Sequence, residues 1–247
     1  MDALIYTAMS GAETALRGQQ VHANNLANLD TGGFRASLAL SGSQAVAAGS
    51  GVGYDDRHMS QLQANAVSVK AGAMRSTGRD LDVAISGAGF IAVDGPGGEA
   101  YSRAGAFNVD ADGTLKLNGN TVLGDGGPIV VPINAAIQIG EDGTVSILSP
   151  GSATTDMQPI GKIKLVKAEG SELAKNDAGL LVTRNGQPLA VDPTVKLQAG
   201  ALEGSNVSAV EEMVATMSLN RSFEVQMKMF TTSDTMTQAA NKLISGN

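Results

Sequence analysis

At 247 residues, 43% hydrophobic and 17% charged, the chain can bury one large or two ordinary cores. A net charge of −7 with no long basic run argues against a nucleic-acid partner, which needs Lys and Arg clustered against phosphates. The absence of cysteine excludes disulfides, Cys-zinc sites and a thiol nucleophile. Aromatics make up only 3%, there is no Trp, and Gly reaches 31, so the cores must be Ala, Val, Ile, Leu and Met in thin layers with close backbone approach. No apolar run reaches membrane-spanning length. The start Met1-Asp2-Ala3-Leu4-Ile5-Tyr6 lacks the basic and apolar regions of a secretory signal. The chain is therefore expected to be cytoplasmic, or exported by a route that leaves its N-terminus uncut.

The first helix is expected over residues 3–29. Ile5, Met9, Ala12, Leu16, Gln19, Ala23 and Leu26 recur at alternating four- and three-residue steps, a coiled-coil-like seam. A plain amphipathic helix packed on its own domain fits this segment equally well. Gly32-Gly33 supplies the stop, since glycine tolerates positive φ where a helix ends. Residues 35–78 are rich in Ser, Gly, Ala and Gln, with Ser41-Gly42-Ser43 and Gly49-Ser50-Gly51-Val52-Gly53, and read as an extended, weakly structured linker arm.

Residues 79–200 change character. Leu81, Val83 and Ile85 alternate with Asp80, Asp82 and Ala84 as a short strand does. Turn signals then recur at Asp94-Gly95-Pro96-Gly97-Gly98, Asp110-Ala111-Asp112-Gly113, Asn118-Gly119-Asn120, Asp142-Gly143 and Asn185-Gly186. Many short strands joined by tight turns predict a compact antiparallel domain, a sandwich or partly closed barrel.

Residues 201–247 return to helix. Ser208 and Glu211 match a capping box that starts it. One stripe follows Val210, Val214, Met217, Val225, Met229, Met236 and Leu243, broken by Arg221; a second, Leu219, Phe223, Met227 and Phe230, projects from nearly the opposite side. Two apolar faces require neighbours on both sides. Glu224 and Lys228 are spaced for a modest ion pair. The fold class is therefore α+β: N- and C-terminal helices forming a coiled-coil-like inner domain, an extended arm, and an antiparallel all-β centre.

No catalytic, metal-binding or cofactor-binding residue is predicted. His22 and His58 are the only histidines, and each reads as a surface or interface residue. Asp110-Ala111-Asp112-Gly113 superficially resembles a calcium loop, but Gly113 falls fourth and Thr121 occupies position twelve, so it reads as a hairpin turn. Gly124-Asp125-Gly126-Gly127-Pro128 lacks the Lys-Ser/Thr of a phosphate loop and reads as another turn. Asp residues cluster at turns, where their side chains cap local amides, rather than as a facing pair for glycoside hydrolysis. Asn206-Val207-Ser208 matches a glycosylation sequon but lies at a helix cap, and carries no argument.

The blocks at both ends bring the chain next to a known family. Asn24-Asn25-Leu26-Ala27-Asn28 with Gly33-Phe34-Arg35 at one end, and Leu202-Glu203-Gly204-Ser205-Asn206-Val207, Glu212-Met213-Val214 and Arg221-Ser222-Phe223-Glu224 at the other, resemble the bacterial flagellar axial proteins, the rod and hook subunits. Leu81-Asp82-Val83-Ala84-Ile85, Gly89-Phe90 and Tyr101-Ser102-Arg103-Ala104-Gly105-Ala106-Phe107 extend the likeness through the centre. It departs at Gly32, where many relatives carry Pro, and at Leu29-Asp30. The start Ile5 to Ala12 and the segment Lys164 to Gly170 look most like the proximal rod subunit, with the distal rod subunit as the rival.

The resemblance implies a non-catalytic structural subunit without cofactors. It would leave the cell unfolded through the flagellar type III export apparatus, with no cleaved signal, and fold in the basal body as part of the shaft that crosses the periplasm and transmits torque from motor to hook. Its partners would be copies of itself and other rod subunits. Residues 1–34 and 201–247 would form the inner tube, 35–78 the arm and 79–200 the outer domain. The expected interface residues are Ile5, Met9, Ala12, Leu16, Ala23, Asn24, Asn25, Leu26 and Asn28 in the first helix. In the last they are Asn206, Val207, Val210, Met213, Val214, Met217, Arg221, Phe223, Glu224, Met227, Phe230 and Met236. The competing readings from other classes are a secreted β-rich hydrolase of cell-wall glycan and a β-domain adhesin with a helical stalk.

Overall fold

The computed structural model describes residues 2–45, 58–132, 135–148 and 157–246. The elements begin with α1 (Asp2–Ala27), β1 (Ser37–Ala45), β2 (His58–Val67), β3 (Met74–Ser76) and β4 (Val83–Ser86). There follow β5 (Phe90–Gly95), β6 (Gly98–Ser102), β7 (Phe107–Val109), β8 (Leu115–Leu117), β9 (Asn120–Gly124), β10 (Gly127–Pro128), β11 (Ala136–Ile139) and β12 (Thr144–Leu148). The chain continues through β13 (Gln158–Lys162), β14 (Leu165–Val166), β15 (Leu173–Lys175), β16 (Leu181–Thr183), β17 (Lys196–Ala199) and β18 (Ala201–Glu203) to α2 (Ala209–Ser245). This is an α+β chain with helices at both ends and antiparallel strands between. Its described residues fall into two compact units. One draws on Met1–Ala27, Ser37–Asn65 and Ser208–Asn247, the other on Asn28–Ala36 and Ala66–Val207.

In the helical unit β1 and β2 pair with each other. These residues were expected to be a weakly structured arm, and the difference has a simple cause. The strands are built from Ser, Ala, Gln and Leu, whose intrinsic β preference is low, so pairing and packing decide what local preference does not. Ser10 Oγ on α1 donates to Ser60 O on β2 at 2.7 Å, fixing the strand pair to the helix. The Gly49 to Gly53 stretch lies outside the described residues.

The β unit is built round one nine-stranded sheet in the order β15-β16-β6-β5-β9-β8-β7, with β10 on β9 and β14 on β5. Among the described residues its end strands β7 and β15 do not pair, so the sheet is open rather than a closed barrel, and it outweighs every other sheet. Smaller ladders are β11-β12-β13, β17 with β4, and β18 with β3. β5 is buried on both faces. Ile91 and Val93 enter a core with Val83, Phe107, Leu115, Leu117 and Val122, whereas Phe90 and Ala92 enter a second core with Tyr101, Val166, Leu173 and Leu181. In β4 the expected alternation is lost, because Val83, Ala84 and Ile85 are all buried and Asp82 with them.

The turn chemistry holds. Asn118 (φ 50°) and Gly119 (φ 85°) make the two-residue turn between β8 and β9, and Asn118 is the only described non-glycine residue at positive φ. At Asp110 to Gly113, Gly113 N donates to Asp110 O at 2.9 Å between β7 and β8, a hairpin turn. The Lys116 ammonium, bonded to the Asp110 carboxylate, holds that group below the usual carboxylate range. Gly124 pairs with Gly127 across the β9–β10 turn.

Candidate assembly interface

α1 and α2 pack antiparallel within the helical unit, and small residues set their distance. Ala8, Ala12 and Ala15 are buried. A Cβ added at Gly18 would lie 2.9 Å from Leu219 Cδ1, and one at Gly11 would lie 2.9 Å from the Gln226 amide carbon. Polar pairs continue the register: Gln19 Nε2 donates to Asn220 Oδ1 at 2.7 Å, and His22 Nδ1 lies 2.5 Å from Glu212 Oε2. Asn25 is buried and does most. Its amide donates to Ser37 O (3.0 Å) and Glu212 Oε1 (3.2 Å), while its oxygen accepts from Ser37 N (2.9 Å). An Asn here offers the backbone of residue 37 the two bonds that a neighbouring strand would, which positions the start of β1 beside the helix.

Ser208 is the N-cap of α2, where the sequence places it, but its side chain makes no capping bond; its carbonyl accepts the first intrahelical bond, from Glu212 N at 3.0 Å. The capping box expected from Ser208 and Glu211 is therefore not made: Ser208 has the extended backbone usual at a helix start (φ −103°), but Glu211 is exposed, where water holds its carboxylate. The Glu224–Lys228 ion pair is not made among the described residues, whereas the exposed Glu13–Arg17 pair at the same spacing is; exposed pairs of this kind contribute little either way.

α1 and α2 use one face each on one another and α1 also holds β1 and β2, yet part of each helix stays open. On α1 this leaves Met9 (60% exposed), Leu16, Leu26, Ala23 and Asn24 outward, with Ile5 half-buried and Ala12 and Asn25 buried. On α2, Val210 (69%), Met213, Val214, Met217, Met227, Phe230 and Met236 are exposed, as are Arg221 and Glu224, whereas Phe223 is half-buried. The first stripe named on α2 is thus open along its whole described length, through Val225, Met229 and Leu243 (85%). Of the second stripe, Leu219 packs toward α1 and Met227 and Phe230 are open.

The remaining expected residues lie in the β unit. Asn28 and Val207 are half-buried there. Asn206 bridges its segments: Oδ1 accepts from Ala36 N (2.7 Å), and Nδ2 donates to Ser68 O (3.3 Å) and Lys70 O (2.9 Å). Beside it is a charged cluster that the sequence reading did not single out. Glu203, with a side chain 0% exposed, accepts from Arg35 Nη2 (2.7 Å), Arg103 Nε (2.7 Å) and Gly72 N (2.6 Å). Arg103 also donates to the carbonyls of Gly89 (2.7 Å), Ile85 (3.2 Å) and Gly87. Burial and the nearby Arg35 charge lower the Arg103 guanidinium's pKa. Gly33 N donates to Glu203 O at 2.8 Å, and at φ +71° a Cβ on Gly33 would sit 2.2 Å from Ala104 N.

Glu203 thus ties together the segments after α1, around residue 103 and before α2. The available signal was an Arg and a Glu set among small and apolar neighbours, Gly33-Phe34-Arg35 and Ala201-Leu202-Glu203, where a solvated charge would be out of place. A groove of about 550 Å³ runs along these segments, and its lining carboxylates are Asp30 and Glu203. Two guanidiniums already hold Glu203, so it cannot serve as one of a glycosidase's working acids. No cluster of three or more His, Cys, Asp or Glu that could hold a metal occurs among the described residues.

The described residues thus carry open apolar faces on paired terminal helices and a β unit locked by buried charges. Family models match at residues 5–35 (flagella basal body rod protein), 84–147 (flagellar hook protein FlgE/F/G D1 domain) and 198–243 (flagellar basal body rod FlgEFG protein C-terminal). The chain is 41% identical to the flagellar basal-body rod protein FlgF of Escherichia coli K12 and 40% identical to that of Salmonella typhimurium LT2, across 99% of each chain. It is 32% identical to the rod protein FlgG of Bacillus subtilis 168, over 95% of this chain and 96% of the relative. The chain belongs to the flagellar basal-body rod protein family, and within it is most like FlgF.

Proposed function

We propose that the chain is a structural subunit of the proximal rod of the bacterial flagellar basal body, part of the shaft that transmits torque from motor to hook. The observation that carries this is the likeness to FlgF along essentially the whole chain, which exceeds the likeness to FlgG and so favours the proximal over the distal rod. The physical support is the pair of open helix faces. Fully burying a Val, Leu or Met side chain gains about 1.5–3 kcal/mol, so half-exposed residues such as Met213, Met217 and Met236 would each gain about 1 kcal/mol when a neighbour covers them.

In this reading the terminal helices of successive subunits form the inner, coiled-coil-like tube, and head-to-tail contacts extend it as a helix instead of closing a ring. The β1–β2 pair contributes contacts to adjacent subunits, and the β unit forms an outer layer. The subunit reaches its place unfolded, through the flagellar type III export apparatus, and performs no catalysis. No helix among the described residues is long and apolar enough to cross a membrane. The test is a strain lacking the chain. It should build basal bodies without a complete rod, hook or filament, and the wild-type chain should restore swimming and be recovered in purified basal bodies. Complete, rotating flagella in its absence would overturn the proposal.

A further inference from the structure

Methionine is among the residue types most often buried, yet here the pattern is reversed. Each of the eight methionines whose side chains are described is at least 40% exposed. Five of them lie on α2, and Met217, Met229 and Met236 share the open stripe with Val210, Val214, Val225 and Leu243. The chain has neither cysteine nor tryptophan to take up an oxidant first.

We propose that these α2 thioethers are a peroxide-sensitive modification site, at which sulfoxide formation keeps the free chain out of its assembly. The sulfur attacks one peroxide oxygen, the O–O bond breaks, and the second oxygen leaves as water after proton transfer. Sulfur is oxidised by two electrons and hydrogen peroxide is reduced. The product is polar where the thioether was apolar. On a stripe that a neighbour must cover, that oxygen is desolvated without a partner, which weakens association roughly tenfold for each buried sulfoxide. The second half of the proposal rests on the rod reading; the first does not.

Two measurements test it. Peptide mass mapping of the free chain in hydrogen peroxide should show Met217, Met229 and Met236 oxidising at the rate of the denatured chain. Rates roughly tenfold slower would overturn the site. In cells, M217Q/M229Q/M236Q, which carries a polar oxygen at each position, should enter basal bodies at least roughly tenfold less than M217L/M229L/M236L, with equal far-UV helicity in the purified chains, since both residues are good helix formers. Equal incorporation would overturn the effect on assembly. Absence of the unsubstituted chain from basal bodies would instead sink the rod reading, and the mapping would still decide the site.

Discussion

Replacing Glu203 with glutamine removes the one negative charge between two buried guanidiniums. The side chains of Arg35, Arg103 and Glu203 are 1%, 2% and 0% exposed, so water cannot take over from the lost carboxylate. Arg103 keeps three carbonyl acceptors, whereas Arg35 has Nε and Nη1 buried without a partner even with Glu203 present. Breaking a buried pair by removing one partner costs about 3–5 kcal/mol. That is a large share of the roughly 5–15 kcal/mol that holds a domain together.

Arg35 should bear most of the loss, so Arg35→Met, which deletes that charge and its orphaned N–H groups, should cost less than Glu203→Gln and should recover part of the loss when combined with it. Native-state hydrogen exchange read on peptides of β5 and β9 measures this inside the β unit, separately from the helices. The reasoning is refuted if Glu203→Gln lowers the opening free energy of those strands by less than about 1 kcal/mol, or if Arg35→Met gives no recovery.

Other expectations follow from the same geometry. Gly33→Ala should destabilise the β unit by more than the roughly 1–2 kcal/mol of a left-handed alanine, because its Cβ meets backbone at Ala104; a urea titration showing a smaller loss contradicts this. Asn25→Ala should cost about 1–3 kcal/mol, because Ser37 N is left without its acceptor, and should speed exchange at the start of β1 while sparing β5. Lys175 sits over the Phe34 ring at 3.5 Å, and burial pulls its pKa from 10.5 down to about 8. Between those values the unfolded chain binds the extra proton, so this group makes stability rise with pH over about 8 to 10.5, and Lys175→Met should abolish that rise in paired denaturation curves. Tyr101 acts oppositely: its pKa is raised to about 12, so its contribution is present below pH 10 and is lost between about 10 and 12, and Tyr101→Phe should remove that loss.

What could be read from the sequence was what leaves a local mark. Asn118-Gly119 and Asp110 to Gly113 announce turns because positive φ restricts residue choice, and the helix start at Ser208 follows from its type and position. The stripes on α2 were visible as periods. A period, however, does not say which face the chain itself will cover. On α1 the large residues Met9, Leu16 and Leu26 marked a seam, but the close contact with α2 is made at Gly11 and Gly18, whose smallness permits close approach. Long-range events left less trace still. The pairing of β3 with β18 and the meeting of Arg35, Arg103 and Glu203 join positions far apart in sequence, and no window along the chain contains them together.

The central claim is that the open faces of α1 and α2 are covered by neighbouring subunits in the rod. Since the chain has no cysteine, Met217→Cys introduces a single thiol on the α2 stripe, at a position 57% exposed in the free chain. Its maleimide labelling should be rapid in the purified chain and at least roughly tenfold slower in intact purified basal bodies from swimming cells. Equal labelling in both would contradict the account.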